Sequence, residues 1–185
     1  MSWFKASLSE AAPQPWRNGG GVTRQLAAEP AGEGWAWRIS IAEVSADGPF
    51  STFEGVQRWF AVLEGDGVCL DVDGQISLLT PASAPLAFDG AASTHCRLLG
   101  GATQDFNLMA RDGQHAALHR LSGEHHMQVR GPCTLAVYAQ TETALQFDAE
   151  ASLRIAPGTL VWRRVPAQAT VKLEGPRVLW MELTP

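Results

Sequence analysis

Short runs of apolar or alternating residues, separated by glycine and proline, recur along the whole chain. The segment WAWRISIAEV (35–44) alternates, with its tryptophans and isoleucines on one face and Arg38 and Ser40 on the other. RWFAVL (58–63) is almost continuously apolar, and VCLDV (68–72) alternates up to an Asp-Gly turn signal. These runs have the length and spacing of short β-strands.

Further segments with the same character extend to the end of the chain. We expect strands at 76–79, 85–88, 96–99, 105–109, 133–139, 144–147, 152–155, 160–163, 169–173 and 177–183. Residues 7–13 and 114–121 are each expected to hold only a short turn, so helix should be scarce. Many short strands with regular turn signals are typical of an all-β sandwich or barrel.

A faint internal repeat organises these strands. In residues 62–90 and 137–166 an apolar strand meets a turn, then a proline-containing corner, then another strand. This rhythm resembles the small jelly-roll barrel of the cupins (RmlC-like), in which two sheets enclose a pocket. We therefore expect a bicupin in one compact unit, with a first cupin module at 1–112 and a second, degenerate module at 113–185. An exchange of strands between the modules is left open.

Composition and charge narrow the function classes. The 185 residues are 45% hydrophobic and 18% charged, and a net charge of −5 without a basic run argues against nucleic-acid binding. No apolar run approaches the roughly 18 residues of a membrane helix, and the N-terminus lacks a signal-peptide layout. Cys69, Cys96 and Cys133 are widely spaced and odd in number, which indicates reduced thiols. We expect a cytoplasmic protein without membrane or nucleic-acid partners.

Three consecutive glycines interrupt the segment PWRNGGGVTRQLA (15–27). Glycine permits a positive φ, and successive backbone N–H groups in such a turn can hold an anion. A phosphate-binding P-loop does not fit, because Val22, Thr23 and Arg24 follow where Lys and Ser or Thr are needed. By itself the segment is interpreted as a bend or bulge beside a strand.

Three motifs together resemble the HutD/Ves family. PWRNGGGVTRQLA, WRISIAEVSADGPFSTFEGVQRWFAVLEGDG and DFNLMARD occur in the family's order within residues 15–112. Glu54 stands where the family has proline, and Asp112 stands where a second arginine often follows. The resemblance implies a bicupin fold in a cytoplasmic bacterial protein, linked to histidine catabolism in the HutD branch or to stress in the Ves branch. It also implies a small-molecule-binding or regulatory role, with urocanate or formylated glutamate derivatives as candidate ligands.

Neither a cupin metal site nor another cofactor is expected. Such a metal site needs clustered histidines and a glutamate whose ligand atoms converge on the ion. The corresponding stretch FEGVQRWFAVLEG (53–65) contains no histidine and carries the cation of Arg58. His115 and His119 have the i, i+4 spacing that can bind zinc on a helix, although two ligands rarely suffice and a solvated loop is the alternative.

Arg58 is the candidate for the central role. It opens an apolar strand, and its guanidinium either faces solvent at the strand edge or holds a carboxylate in the barrel mouth through two parallel hydrogen bonds. The family resemblance favours the second interpretation. Asp105 and Asn107 share one face of DFNLM, which meets either solvent or a polar cavity. In a cavity, we expect Asp105 to orient the arginine and Asn107 to bind a ligand amide or imidazole.

In the family context, the glycine loop is expected to cover the mouth of the first barrel. Asn18 and the backbone N–H groups of Gly19 and Gly20 would then assist the arginine in holding an anion. Trp16 and Phe50 are expected to supply apolar or stacking walls, because small-molecule pockets are mainly apolar with a few placed polar groups.

Two small-molecule functions fit these residues, and a scaffold that acts through a protein surface is a third interpretation, which an empty or collapsed barrel would favour. The favoured one is a metal-independent binding or regulatory protein that senses a small carboxylate of histidine breakdown. The alternative is a metal-free isomerase or hydrolase of a similar compound, which requires a base within hydrogen-bond reach of a ligand proton. No nucleophile motif such as G-x-S-x-G occurs. The expected partner is a small-molecule carboxylate, with a homodimer left open.

Overall fold

This computed structural model describes residues 2–185 of the chain. Within these residues the regular secondary structure consists of β-strands, without a helix. Among these residues there is no helix that could cross a membrane. The strands in chain order are β1 (Phe4–Ser7), β2 (Pro13–Pro15), β3 (Gly21–Glu29), β4 (Trp37–Val44), β5 (Gly48–Pro49), β6 (Val56–Glu64), β7 (Val68–Val72), β8 (Gln75–Leu79), β9 (Leu86–Asp89), β10 (Thr94–Leu98), β11 (Thr103–Arg111), β12 (His115–Gln128), β13 (Cys133–Ala139), β14 (Thr143–Phe147), β15 (Leu153–Ile155), β16 (Thr159–Val165) and β17 (Thr170–Thr184).

The strands group into two units. The first unit is Ala11–Gly113, and the second unit is Gln114–Pro185 together with the residues up to Glu10. The N-terminal segment belongs to the second unit because β1 pairs antiparallel with β16. The first unit therefore begins at Ala11, after the segment that contributes β1 to the second unit.

Two antiparallel sheets make up the first unit. One has six strands in the order β2-β3-β4-β11-β6-β9, and the other has four in the order β5-β10-β7-β8. The sheets share an apolar core, to which the larger sheet contributes Phe60 and Val62 and the smaller sheet contributes Leu70 and Cys96. In the larger sheet β4, β11 and β6 are direct neighbours, so residues in register on these strands stand side by side on one face.

One antiparallel sheet of seven strands forms the second unit. Its order is β1-β16-β13-β17-β14-β15, and β12 also pairs with β17. Trp3, which precedes β1, packs edge to face on Phe147 of β14, with ring centroids 6.3 Å apart. Because β1 and β14 lie towards opposite ends of the strand order, the sheet curls around its core, which includes Val137, Val161 and Trp180.

Two strands of the second unit differ from the sequence-based expectation. Residues 114–121, expected to hold a turn, fall almost entirely within β12, and the strands expected at 169–173 and 177–183 are the single strand β17. The register of these two strands shifts around Gly123 and Gly175, which stand opposite each other. Glycine at such a shift lets a strand bend while it continues. The glycine signal therefore marks a bend and not a strand end.

Candidate functional site

A cavity of about 510 Å³ opens in the first unit. This volume lies within the range of small-molecule sites. Strands β2, β3, β4, β5, β6 and β11 and two loops contribute the lining, which comprises Gln14, Pro15, Trp16, Arg17, Asn18, Thr23, Gln25, Arg38, Ser40, Ala42, Pro49, Phe50, Ser51, Phe53, Arg58, Asn107 and Met109.

Strand register brings two arginines to this cavity. Met109 of β11 is opposite Arg38 of β4 on one side and opposite Arg58 of β6 on the other. The three side chains therefore form a row across one face of the sheet, with the two arginine backbones two strand spacings, or about 10 Å, apart. Ser40 and Asn107 form the next row on the same face, two residues along β4 and β11.

Arg58 is 5% exposed and is held by neutral groups. Its Nη2 donates to Asn107 Oδ1 at 3.1 Å, and its Nη1 donates to the Ser51 carbonyl oxygen at 3.3 Å. Its guanidinium carbon lies 5.0 Å from the Phe88 ring centroid and 5.5 Å from that of Phe50. The aromatic rings cover the cation, but none of these contacts neutralises its charge.

No carboxylate of residues 2–185 forms an ion pair with Arg58, and its buried Nε has no hydrogen-bond partner there. Burial, followed by the nearby charge of Arg38, lowers the pKa of Arg58 to about 10. The side chain is therefore still a cation at neutral pH. The site combines a buried positive charge with an unused hydrogen-bond donor.

Arg38 is a second cation on the cavity wall. Its guanidinium carbon lies 5.4 Å from the Trp35 ring centroid and 5.6 Å from that of Phe53, and its Nη2 donates to Met109 Sδ at 3.5 Å. Burial lowers its pKa below the ordinary arginine value. The Phe53 ring is also 5.7 Å from the guanidinium carbon of Arg58, so both cations lie against the same ring.

The glycine loop is closed by its own hydrogen bonds. The Gly20 N–H donates to Asn18 Oδ1 at 3.0 Å, and the Gly19 N–H donates to the Trp16 carbonyl oxygen at 3.0 Å. A Cβ on Gly21 would lie 2.5 Å from the Glu43 carbonyl oxygen, so glycine is required there for close approach of β3 to β4. The structure thus supports the bend interpretation, and the N–H groups of Gly19 and Gly20 are directed within the loop.

Asp105 lies outside the cavity lining and does not contact Arg58. It is fully buried, with Oδ2 accepting a hydrogen bond from Thr103 Oγ1 at 2.7 Å and Oδ1 without a partner. Burial raises the pKa of Asp105 from 3.8 to about 7, against a smaller lowering by the Thr103 hydrogen bond. The expected orienting contact to Arg58 is made by Asn107 instead.

The histidine spacing does not form a zinc site. His115 and His119 lie on strand β12, where four residues span about 13 Å, so both rings cannot reach one ion at about 2.0–2.1 Å. Among residues 2–185, no group of three or more His, Cys, Asp or Glu side chains is arranged to hold a metal ion.

The structure brings most of the expected site residues together. The five that line the cavity are Trp16, Asn18, Phe50, Arg58 and Asn107, whereas Gly19, Gly20 and Asp105 do not line it. Arg38, Ser40 and Phe53 also line the cavity, although none of them was predicted as a site residue. The signal for two of these was present, because the alternation of WAWRISIAEV placed Arg38 and Ser40 together on the more polar face.

Comparison with known proteins finds a family model and curated relatives that match half or more of the chain. The HutD family model matches residues 8–181. An uncharacterized 21.2 kDa protein of the hutC 3′ region in Pseudomonas putida is 39% identical over 166 residues, which are 87% of this chain and 81% of that protein. Protein Ves of Escherichia fergusonii is 36% identical over 98 residues, 52% of this chain and 51% of its own.

Solved structures of proteins similar to this chain include a HutD protein. A conserved protein of unknown function from Pseudomonas aeruginosa PAO1 has a TM-score of 0.90 at 31% identity, covering 100% of both chains. HutD from Pseudomonas fluorescens SBW25 has a TM-score of 0.85 at 29% identity, covering 99% of this chain and 98% of its own. Oxalate decarboxylase from Lactobacillus farciminis, at 9% identity and a TM-score of 0.68 over 99% of this chain and 86% of its own, is similar in fold alone.

Proposed function

Because the chain belongs to the HutD family, we propose that it binds a small carboxylate in the first-unit cavity without a metal, with Arg58 as the anchor. The observation that carries the proposal is the buried guanidinium of Arg58, whose hydrogen-bond partners are neutral oxygens. A buried cation without a counter-charge is unfavourable. A carboxylate would supply that charge and two acceptor oxygens in the geometry that the guanidinium fork matches.

The second cation narrows the ligand class. Arg38 lines the same cavity and forms no ion pair with a carboxylate of the described chain. Arg17, the third arginine of the lining, is exposed, so the two covered cations, Arg58 and Arg38, favour a ligand with two negative charges. Of the two candidates from histidine breakdown, a formylated glutamate derivative carries two carboxylates and urocanate carries one, so we favour the former.

The chemistry of the lining favours binding over catalysis. None of the described residues that line the cavity is Asp, Glu, His, Cys or Lys. An isomerase or hydrolase needs a side chain that exchanges a proton near neutral pH within hydrogen-bond reach of the ligand. We therefore propose a sensing or regulatory role in histidine utilisation, supported by the relative that is named for the hutC region.

We also propose that the two units are two cupin modules. The two-sheet construction of the first unit and the curled sheet of the second unit support this. The likeness of fold to oxalate decarboxylase is a further support. In this proposal the ligand cavity belongs to the first module.

Titration calorimetry tests the ligand site. N-formylglutamate and urocanate are titrated into the native chain and into Arg58→Ala, Arg58→Lys and Arg97→Ala. A hydrogen bond to a charged group contributes about 1.5–3 kcal/mol, so Arg58→Ala should weaken binding by about tenfold to a hundredfold. Arg58→Lys keeps the charge but loses the fork and should weaken binding less.

Arg97→Ala is the matched control, because Arg97 is an exposed arginine on β10 of the same unit and does not line the cavity. Its affinity should equal that of the native chain. The proposal fails if folded Arg58→Ala binds as tightly as the native chain. It also fails if neither compound binds the native chain. Tighter binding of urocanate would overturn the preference for a dicarboxylate.

A further inference from the structure

A second buried arginine lies in the second unit. Arg163 is on β16, two residues from the core residues Val161 and Val165, and its side chain is 6% exposed. Its guanidinium carbon is 3.8 Å from the Phe147 ring centroid and 5.0 Å from that of Trp3. The cation is therefore packed against two aromatic rings inside the unit.

A carboxylate of the same unit clamps this guanidinium. Nη1 of Arg163 donates to Glu150 Oε2 and Nη2 donates to Glu150 Oε1, both at 3.0 Å. These two parallel charged bonds are the geometry in which arginine recognises a free carboxylate. Glu150 lies on the turn between β14 and β15, and its side chain is 49% exposed. Its carboxylate therefore reaches the buried cation from the solvent side.

The buried arginines of the two units have hydrogen-bond partners of different charge. Arg58 and Arg163 are both buried, and each packs on aromatic rings. Arg58 meets the neutral oxygens of Asn107 and a backbone carbonyl, whereas Arg163 meets the carboxylate of Glu150. In the second unit the chain itself supplies a carboxylate to the buried arginine, whereas in the first unit no carboxylate of the described chain pairs with Arg58.

We propose that the second unit contains a second carboxylate-binding site, which Glu150 occupies as an intramolecular ligand. A monocarboxylate of acetate size is the class that can replace it, since the glutamate side chain ends in the same group and half of it borders solvent. In the native chain, the tethered carboxylate excludes free ones because its effective concentration is millimolar or higher. Removal of the Glu150 side chain opens the site.

The test uses sodium acetate as the probe and thermal unfolding of the full chain as the readout, against sodium chloride of equal ionic strength. Every variant carries Arg58→Ala, so the first-unit site does not contribute. Three proteins are compared: Arg58→Ala alone (the background), Arg58→Ala with Glu150→Ala, and Arg58→Ala with both Glu150→Ala and Arg163→Met. Glu150→Ala should lower Tm in chloride. Acetate at about tenfold its Kd should then raise Tm by about 3–6 °C more than chloride does.

The background and the combined variant should show no such acetate effect. The inference is overturned if acetate raises the Tm of the background, or of the combined variant, as much as it raises the Tm of the variant that lacks only Arg58 and Glu150. So does the absence of any acetate effect on Glu150→Ala beyond that of chloride. If Glu150→Ala folds only in acetate the inference is supported, and if it folds in neither salt the inference is overturned. The first-unit proposal is tested separately, by calorimetry with Glu150 intact and Arg58 varied.

Discussion

Replacement of Asp105 by asparagine should make the protein more stable at neutral and alkaline pH. Asp105 is fully buried, its Oδ1 has no partner, and burial raises its pKa from 3.8 to about 7. Between pH 3.8, the ordinary pKa of an aspartate in the unfolded chain, and about pH 7, its pKa in the folded chain, the folded chain keeps the proton that the unfolded chain releases. The free energy of unfolding contributed by this group is therefore greatest below about pH 4, falls as pH rises, and is constant above about pH 7.

The size of the effect follows from the two pKa values. Each pH unit between them corresponds to about 1.4 kcal/mol, so the ionised Asp105 costs up to about 4 kcal/mol above pH 7. Asparagine is neutral at every pH, and its Oδ1 can accept the hydrogen bond that Thr103 Oγ1 now donates to the carboxylate. Asp105→Asn should therefore match the native chain near pH 4 and exceed its stability increasingly up to pH 7.

Urea unfolding followed by tryptophan fluorescence at pH 4, 5, 6, 7 and 8 measures this difference. Glu64→Gln is the matched control, because it removes one exposed carboxylate from the end of the neighbouring strand β6. Its stability profile should run parallel to that of the native chain. If Asp105→Asn also runs parallel, with a constant difference from pH 4 to pH 8, Asp105 does not titrate between the folded and unfolded states as argued.

Three further predictions concern packing and exposure. Gly21→Ala should lose about 1–3 kcal/mol in urea unfolding, because its Cβ would lie 2.5 Å from a carbonyl oxygen of β4, whereas Gly34→Ala, with open space around it, should stay within about 0.5 kcal/mol; equal losses would contradict the close approach. Burial raises the pKa of the Cys96 and Cys133 thiols to about 12 and about 11, so a thiolate-directed reagent should label these two residues quickly only after unfolding. Rapid labelling of either residue in the native chain, located by peptide mass spectrometry, would refute this. Ile76 on the edge strand β8 is 68% exposed, so Ile76→Thr should change the unfolding free energy by less than about 0.5 kcal/mol, and a larger loss would mean that the side chain is covered in solution.

Most strands of the first unit could be predicted from sequence because their signals are local. Alternation along residues 35–44 and 105–109, and the apolar run at 58–63, correspond to β4, β11 and β6. Alternation fixes which side chains share a face, since successive residues of a strand point to opposite sides. The long strands β12 and β17 were not predicted because a glycine has the same local signal whether a strand bends or ends there.

The site could be predicted only in part because depth and register are not local. Arg38 stood on the predicted polar face, but only its registration through Met109 to Arg58 brings it into the cavity. Asp105 and Asn107 share a face, yet the cavity reaches only Asn107. A pattern of polar positions identifies a face of the sheet, and the packing of distant segments decides which part of that face a ligand can reach.

The pairing of β1 with β16 has a consequence for synthesis on the ribosome. β1 begins at Phe4, and its partner β16 begins at Thr159. At a synthesis rate of roughly 5–20 residues per second, about 10–30 s pass between the synthesis of β1 and that of β16. All of Ala11–Gly113 is made in that interval, so the strands of the first unit can pair before β16 is translated. During this time β1 is an unpaired strand edge, open to other chains or to a chaperone.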